Sequence, residues 1–292
     1  MLARSYLFVP ADRPERYAKA LASGADVVIV DLEDAVAPAA KAGARAALAA
    51  WLDTGGSGIA VRINDAASAA FVDDLALVAR PGVAAVVVPK AERPADLTHV
   101  RAAAPHAALV PLIETAAGID RAREIANAPG VVRLAFGSID LQLDLGIEES
   151  EGGDELLVFR AELVLASRLA ALDAPVDGVS ATLDDAAAVE ADARRARRLG
   201  FGAKLCIHPR QVAAVHAAFA PSAAELAWAE RVVAAVAAAH GGAVAVDGKM
   251  VDKPVVLRAE ALLARRGADA SARSGVSAPS GAAARATSSA SR

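Results

Sequence analysis

Eight short runs rich in Val, Ile, Leu and Ala recur along the 292-residue chain, and Ala-rich stretches of helical period separate them. The runs span Ser5 to Val9, Asp26 to Asp31, Ile59 to Asn64, Ala84 to Pro89, Ala108 to Ile113, Val131 to Phe136, Val176 to Ser180 and Ala203 to Ile207. Strand-length apolar runs alternating with helix-length stretches are the pattern of repeated βα units on a parallel sheet. Seven helical stretches separate the runs, among them Pro38 to Leu52 and Asp184 to Leu199. An eighth begins at Pro209, where proline suits a first helical turn. Eight units predict an α/β fold of the (β/α)8 TIM-barrel type, with an open doubly wound sheet as the alternative if a pair of runs is misread.

Beyond the eighth unit, Ser222 to Ala239 reads as an extra helix, followed by a turn at Gly241 and Gly242 and a last helix from about Pro254 to Arg265. The expected organisation is a catalytic barrel over residues 1–220, a C-terminal helical lid or oligomerisation segment over 221–267, and a disordered tail over 268–292. From Ala268 onward small residues and arginines offer no apolar period to bury.

Composition narrows the function classes. Aromatic residues make up 3% and the formal net charge of −4 has no basic block behind it, so neither the groove nor the stacking platform of a nucleic-acid binder is present. No apolar run approaches the ~20 residues of a membrane span, and the opening MLARSYLFVP does not read as a leader, which predicts a cytoplasmic protein. Cys206 is the sole cysteine and sits in an apolar run, where a buried structural thiol is expected.

In a barrel of this kind the catalytic groups sit at the carboxyl ends of the strands, so the polar residues at the end of each apolar run are informative. Asp12 comes after the first run, Glu33 and Asp34 after the second, Arg62 and Asn64 end the third, and Lys90 comes after the fourth. Glu114 comes after the fifth, Asp140 after the sixth, Ser180 ends the seventh, and His208 comes after the eighth. Singly, each has a local explanation: Asp34 can cap a helix, Arg62 can pair with a rim acid, and His208 before Pro209 can be a satisfied turn histidine. Together they ring one mouth with acids, an arginine and a lysine, suited to a small anionic substrate and a metal. Carboxylates from adjacent strands five and six can converge on one ion, which makes Glu114 and Asp140 the best ligand pair for Mg²⁺. No zinc-type His/Cys cluster and no phosphate-binding glycine loop occurs.

The segments SYLFVPADRPE, VIVDLEDAV, VRIN, VVVPKAE, PLIET, FGSIDL and GAKLCIHPRQV stand in this order over about Arg4 to Arg265. In this they resemble the citrate lyase β-subunit family of the HpcH/HpaI aldolase superfamily, which includes malyl-CoA and citramalyl-CoA lyases. The resemblance implies a homotrimer, or a multiple of three, that acts on an acyl-CoA or related thioester and an α-keto acid with Mg²⁺. It assigns the metal to Glu114 and Asp140 and a substrate carboxylate to Arg62, and it places Glu33 and Asp34 at the same site through ordered water. Ile139 departs from many relatives, which carry an acid there. Asp252, in GKMVDKP, reads locally as a helix cap; the resemblance implies instead an acid/base that reaches a neighbouring subunit's site.

The expected reaction is cleavage, or formation, of a 3-hydroxy-3-carboxyacyl thioester such as citramalyl-CoA, malyl-CoA or citryl-CoA. A metal-dependent aldolase acting on free hydroxy-oxo acids is the alternative. A Schiff-base aldolase on Lys90 would need a lysine of lowered pKa, whereas Lys90 beside Glu92 reads as charged.

Overall fold

The computed structural model describes residues 3–148, 150, 152–239 and 244–274, with side chains described as far as residue 266. The eight apolar runs form eight parallel strands: β1 (Ser5–Pro10), β2 (Val27–Asp31), β3 (Ile59–Arg62), β4 (Val83–Val88), β5 (Ala108–Ile113), β6 (Ala135–Phe136), β7 (Val176–Asp177) and β8 (Ala203–Cys206). Each strand pairs with the next, and β8 pairs back onto β1, so the sheet closes. Closure excludes the open doubly wound alternative.

β2, β3 and β8 end within two residues of the runs that predict them, whereas β6 and β7 are only two residues long. Val131 makes only an isolated bridge to Leu109, since the chain before β6 turns the buried Arg133 toward the barrel floor. There its guanidinium donates to the carbonyl of Ala3 at 2.6 Å and lies 5.7 Å from the centre of the Tyr6 ring. β7 ends at Asp177 because the next carbonyl, that of Gly178, accepts from Lys204 Nζ at 2.7 Å instead of joining a ladder.

Side chains along a strand alternate between its two faces, and the alternation fills the barrel. Tyr6, Ile29, Ala60, Val110, Leu112 and Leu205 belong to one buried cluster inside the ring. Their neighbours Leu7, Val28, Val30, Val61 and Leu109 pack outward in a larger cluster. That cluster includes Leu48 of the Lys41–Asp53 helix, Leu163 of Leu157–Leu169 and Ala193 of Ala186–Leu199. Because the period is two, each inward residue predicts an inward residue two places on. Ile29 leads to Asp31, Ala60 to Arg62, and Leu112 to Glu114. Cys206, buried as expected, has its thiol pushed up to about 12 by desolvation, in keeping with an inert core residue.

The chain divides into two compact units, one ending at Phe219 and one beginning at Ala220. The second contains the Ala223–Ala238 helix, a hairpin of β9 (Val244–Val246) and β10 (Lys249–Val251), and a helix over Lys253–Ser274. Ser222 and Glu225 close a capping box on the first of these helices. Ala229, Val232, Ala259 and Leu262 form the unit's own core. The hairpin is not among the elements expected from the sequence, although its turn residues signal it: Asp247 and Gly248 both take positive φ, +52° and +74°, as a two-residue primed turn requires. The last helix continues to Ser274, past the expected start of the tail at Ala268. Ala268, Ala270, Ala272 and Arg273 favour helix by intrinsic propensity even without an apolar face. The expected turn at Gly241 and Gly242, and residues 275–292 of the expected tail, lie outside the described residues. Among the described residues no helix is long and apolar enough to cross a membrane.

At the amino-terminal end of the barrel, Asp26 Oδ2 accepts from the main-chain amides of Arg4 and Ser5 at 2.7 and 3.1 Å. His216 Nε2 lies 3.0 Å from the same oxygen and 2.8 Å from Ser5 Oγ. Serine and aspartate share one ring nitrogen, so the trio is a clamp on the Arg210–Phe219 helix and not a proton relay. Burial raises Asp26, but the bond from His216 and the two amides outweigh it and hold the carboxyl at about 2. A carboxyl lower in the folded than in the unfolded chain contributes stability that is complete above the ordinary aspartate value of about 3.9 and is lost as pH falls through the folded value. His216→Ala is therefore expected to lower the melting temperature near neutral pH, with the deficit shrinking as pH falls through about 2, measured by circular dichroism.

Candidate active site

The register of β2 and β3 places Asp31 opposite Arg62, and both side chains face inward at the carboxyl end of the barrel. Arg62 Nε donates to Asp31 Oδ1 at 2.7 Å and Nη2 to Oδ2 at 2.6 Å, a two-pronged pair with both partners buried. The guanidinium also lies 4.8 Å from the centre of the Phe8 ring. Asp31 accepts from the amides of Glu33 and Ala35 as well, at 2.9 and 3.2 Å. Those bonds fold the chain after β2 so that Glu33 is buried while the Asp34 side chain stays 59% exposed. Glu33 Oε2 lies 3.1 Å from Arg62 Nη1, and Asp34 Oδ2 lies 3.6 Å from it.

Lys90, just past β4, has φ +44°, in the left-handed region. Its main-chain amide donates to Glu114 Oε1 at 2.7 Å, and its Nζ donates to Glu33 Oε1 at 2.8 Å. Glu114, directly after β5, is 2% exposed. Its other oxygen, Oε2, lies against Gly137: a Cβ at that position would sit 2.4 Å from it. The glycine is what admits the carboxylate between β5 and β6. Asp140 stands half-buried in the first turn of the Ser138–Leu145 helix. Asp34, Arg62, Glu114 and Asp140 line one cavity of about 410 Å³, together with Phe8, Leu112, Gly137 and Ile139.

This crowding sets the electrostatics. Burial, then the charges of Glu33 and Asp140, push Glu114 up to about 8 against the amide of Lys90 and the charge of Arg62. Glu33 is also raised, by burial, with Arg62 and Lys90 opposing. Burial lowers Lys90, but the hydrogen bond and charge of Glu33, with Glu114 and Asp34, more than offset it and leave the ammonium above the ordinary lysine range. A Schiff base requires the neutral amine, so this geometry disfavours that chemistry. The acid-rich side of the cavity offers oxygen donors only, and desolvated carboxylates that repel one another are stabilised by a hard divalent cation. Among the described residues no group of three or more His, Cys, Asp or Glu is gathered to hold a metal. The pair Glu114 and Asp140 fits an ion that takes one or two protein carboxylates and leaves its other positions to water and substrate.

The structure thus brings Glu33, Asp34, Arg62, Lys90, Glu114 and Asp140 to one mouth. Other polar strand ends serve local contacts. Asn64 bonds to the buried Asp74 at 2.6 Å, Ser180 to Asp192, and His208 Nδ1 accepts from the amide of Arg210 at 3.1 Å. Asp252, in the second unit, caps the Lys253–Ser274 helix, accepting from the amide of Val255 at 3.1 Å. Sequence reasoning missed Asp31, which turns up only when strand parity and register are read together: it is two residues beyond Ile29 and opposite Arg62. It also missed Gly137, whose signal is a glycine directly after β6.

Comparison with known proteins gives concordant results. Residues 4–209 match the HpcH/HpaI aldolase/citrate lyase family. A citrate lyase subunit beta-like protein of Deinococcus radiodurans is 40% identical over 90% of this chain and 96% of its own. A (3S)-malyl-CoA thioesterase of Cereibacter sphaeroides is 37% identical over 90% of this chain and 94% of its own. Among solved structures, the protein CitE from Mycobacterium tuberculosis in complex with magnesium, acetoacetate and coenzyme A superposes with a TM-score of 0.82. It shows 40% identity, with 91% of this chain and 98% of that one covered.

Asp31→Asn keeps the shape of the fork partner and removes its charge, leaving the buried Arg62 to Glu33 and Asp34. Its expected cost is about 3 kcal/mol of unfolding free energy, the scale of breaking a buried ion pair, measured by urea denaturation.

Proposed function

The chain belongs to the HpcH/HpaI aldolase/citrate lyase family, and on that premise we propose that it is a Mg²⁺-dependent carbon–carbon lyase for CoA thioesters. Its substrate class is a 3-hydroxy-3-carboxyacyl-CoA such as citramalyl-CoA, malyl-CoA or citryl-CoA, split into an acyl-CoA and an α-keto acid or assembled from them. The observation that carries this reading is the single cavity in which Glu114 and Asp140 face Arg62 at the carboxyl end of the barrel. The magnesium- and CoA-bound neighbour supports it.

Cleavage breaks the bond between the carbon that bears the hydroxyl and the carbon next to the thioester. The electron pair stays on the latter as an enolate, a proton leaves the hydroxyl, and a proton must arrive at the enolate carbon. Glu114 and Asp140 would hold the Mg²⁺, which when bound would supply Lewis-acid polarisation of the substrate. Arg62 holds the carboxylate. Since its Nε and Nη2 edge is engaged by Asp31, it does so through the remaining N–H groups on Nη1 and Nη2. Glu33 and Asp34 lie on the same side and take the hydroxyl proton by way of ordered water, Asp34 from its exposed position and Glu33 as its buried neighbour.

Asp252 supplies the proton for the enolate carbon from a neighbouring subunit of a homotrimer, or a multiple of three, and the C-terminal unit acts as a lid. Two features support this. The G-x-M-[IV]-D stretch is intact, and Met250 and Asp252 are exposed on their own unit, Met250 to 81%. As its side chain already caps a helix, leaving that bond is part of the proposed role.

Purified protein incubated with a panel of acyl-CoA esters and Mg²⁺ is expected to release an α-keto acid. EDTA should stop the release reversibly, and Glu114→Gln or Asp140→Asn should abolish it in a folded chain. Release of a free hydroxy acid and CoA without keto acid would make the chain a thioesterase instead, and action on free hydroxy-oxo acids alone would make it an aldolase.

Asp252→Asn is expected to lower the rate by about 10²-fold, the scale of general acid–base catalysis, with little loss of stability. Mixed oligomers of Asp252→Asn and Glu114→Gln subunits should regain part of the activity, because some interfaces pair an intact aspartate with an intact metal site. No recovery in mixed oligomers verified by mass spectrometry returns Asp252 to helix capping alone.

A further inference from the structure

The left-handed backbone at Lys90, φ +44°, is a conformation that a residue with a Cβ seldom adopts. That conformation lets one residue hold two carboxylates by different means. The main-chain amide, which has no net charge, binds Glu114 Oε1, and the ammonium binds Glu33 Oε1.

The two acids are thereby sorted. Glu114 gives one oxygen to a neutral donor, and its other oxygen lies on the Gly137 side of the cavity. Glu33 has both oxygens beside cations, Oε1 at 2.8 Å from Lys90 Nζ and Oε2 at 3.1 Å from Arg62 Nη1. Glu33 is buried and is joined to Glu114 through a single residue, Lys90, so it is the acid placed to become a third carboxylate on the metal if its hold were released. A third protein carboxylate would hold Mg²⁺ more firmly, but it would occupy a coordination position that the substrate needs and reduce the ion's Lewis acidity by adding negative charge.

We propose that Lys90 is a positioning residue that withholds Glu33 from the metal, so that Glu114 and Asp140 alone supply protein oxygens and the remaining positions stay open to substrate. This rests on the metal site assigned above.

The test uses Mn²⁺ as the probe, with the full chain, free Mn²⁺ followed by electron paramagnetic resonance and bound water by proton relaxation. The parent is expected to bind Mn²⁺ at a site that Glu114→Gln removes. Lys90→Met releases Glu33 Oε1 while Arg62 stays beside Oε2, and affinity is expected to rise by roughly tenfold, the scale on which outer partners of ligands alter metal binding, with fewer exchangeable waters on the ion. Lys90→Gly keeps the amide and relieves the left-handed strain, which offsets part of the cost of the lost ion pair, and should behave alike. Adding Glu33→Gln to either variant should return the affinity to that of Glu33→Gln alone. Tighter binding that persists in the double variant means Lys90 acts only by repelling the ion, which overturns the proposal. Unchanged or weaker binding in the single variants also overturns it. A parent without a Mn²⁺ site sensitive to Glu114→Gln overturns the metal reading itself, and the proposal with it.

Discussion

Arg62 carries a buried positive charge into a mouth crowded with carboxylates, and the way that charge is met sets the arrangement of the mouth. Its side-on edge binds Asp31 across the β2–β3 pair, and its Nη1 lies beside Glu33 and Asp34. Asp31 in turn fixes the chain after β2 through two amides. Glu33 is thereby presented to Lys90, whose amide holds Glu114. One chain of contacts thus runs across four neighbouring strands, β2 to β5, and sets the positions of the carboxylates. Removing either cation would leave a buried carboxylate with fewer partners, a costly change in a low-dielectric interior.

The barrel makes this crowding possible by strand parity. The interior is filled by apolar side chains from every second position, and the next inward position on the same strand falls at the rim. A chain that packs Ile29, Ala60 and Leu112 inside has no choice but to point Asp31, Arg62 and Glu114 into the mouth. The same rule accounts for the small residue at Gly137, two beyond the inward Ala135. Any larger side chain there would displace Glu114. At the opposite end Arg133 and the His216–Asp26–Ser5 clamp tie the floor without entering the cavity, so the polar groups at the two ends have separate duties.

The second unit obeys different rules. Its core is small and its hairpin depends on two residues of positive φ, so local turn chemistry, not strand parity, specifies it. Asp252 closes that unit's last helix within its own chain. The bond from the Val255 amide to Asp252 Oδ1 is a side-chain cap of the ordinary kind, and a side chain so placed can exchange it for another partner at the modest cost of a cap.

The number of strands, their order and the residues at their ends were legible in the sequence, because apolar period and strand length are local properties that one reads along the chain. The family was legible too, since its motifs lie at those same strand ends. Whether the sheet closed was decided by the pairing of β8 with β1, a contact between the two ends of the barrel sequence. The partner of Arg62 was decided in the same way: Asp31 and Arg62 are 31 residues apart and meet through register alone. Lys90 illustrates the division most clearly. The sequence places a lysine after β4, but only the folded chain shows its left-handed backbone and its hold on two acids from other strands, because those bonds join segments that the sequence keeps far apart.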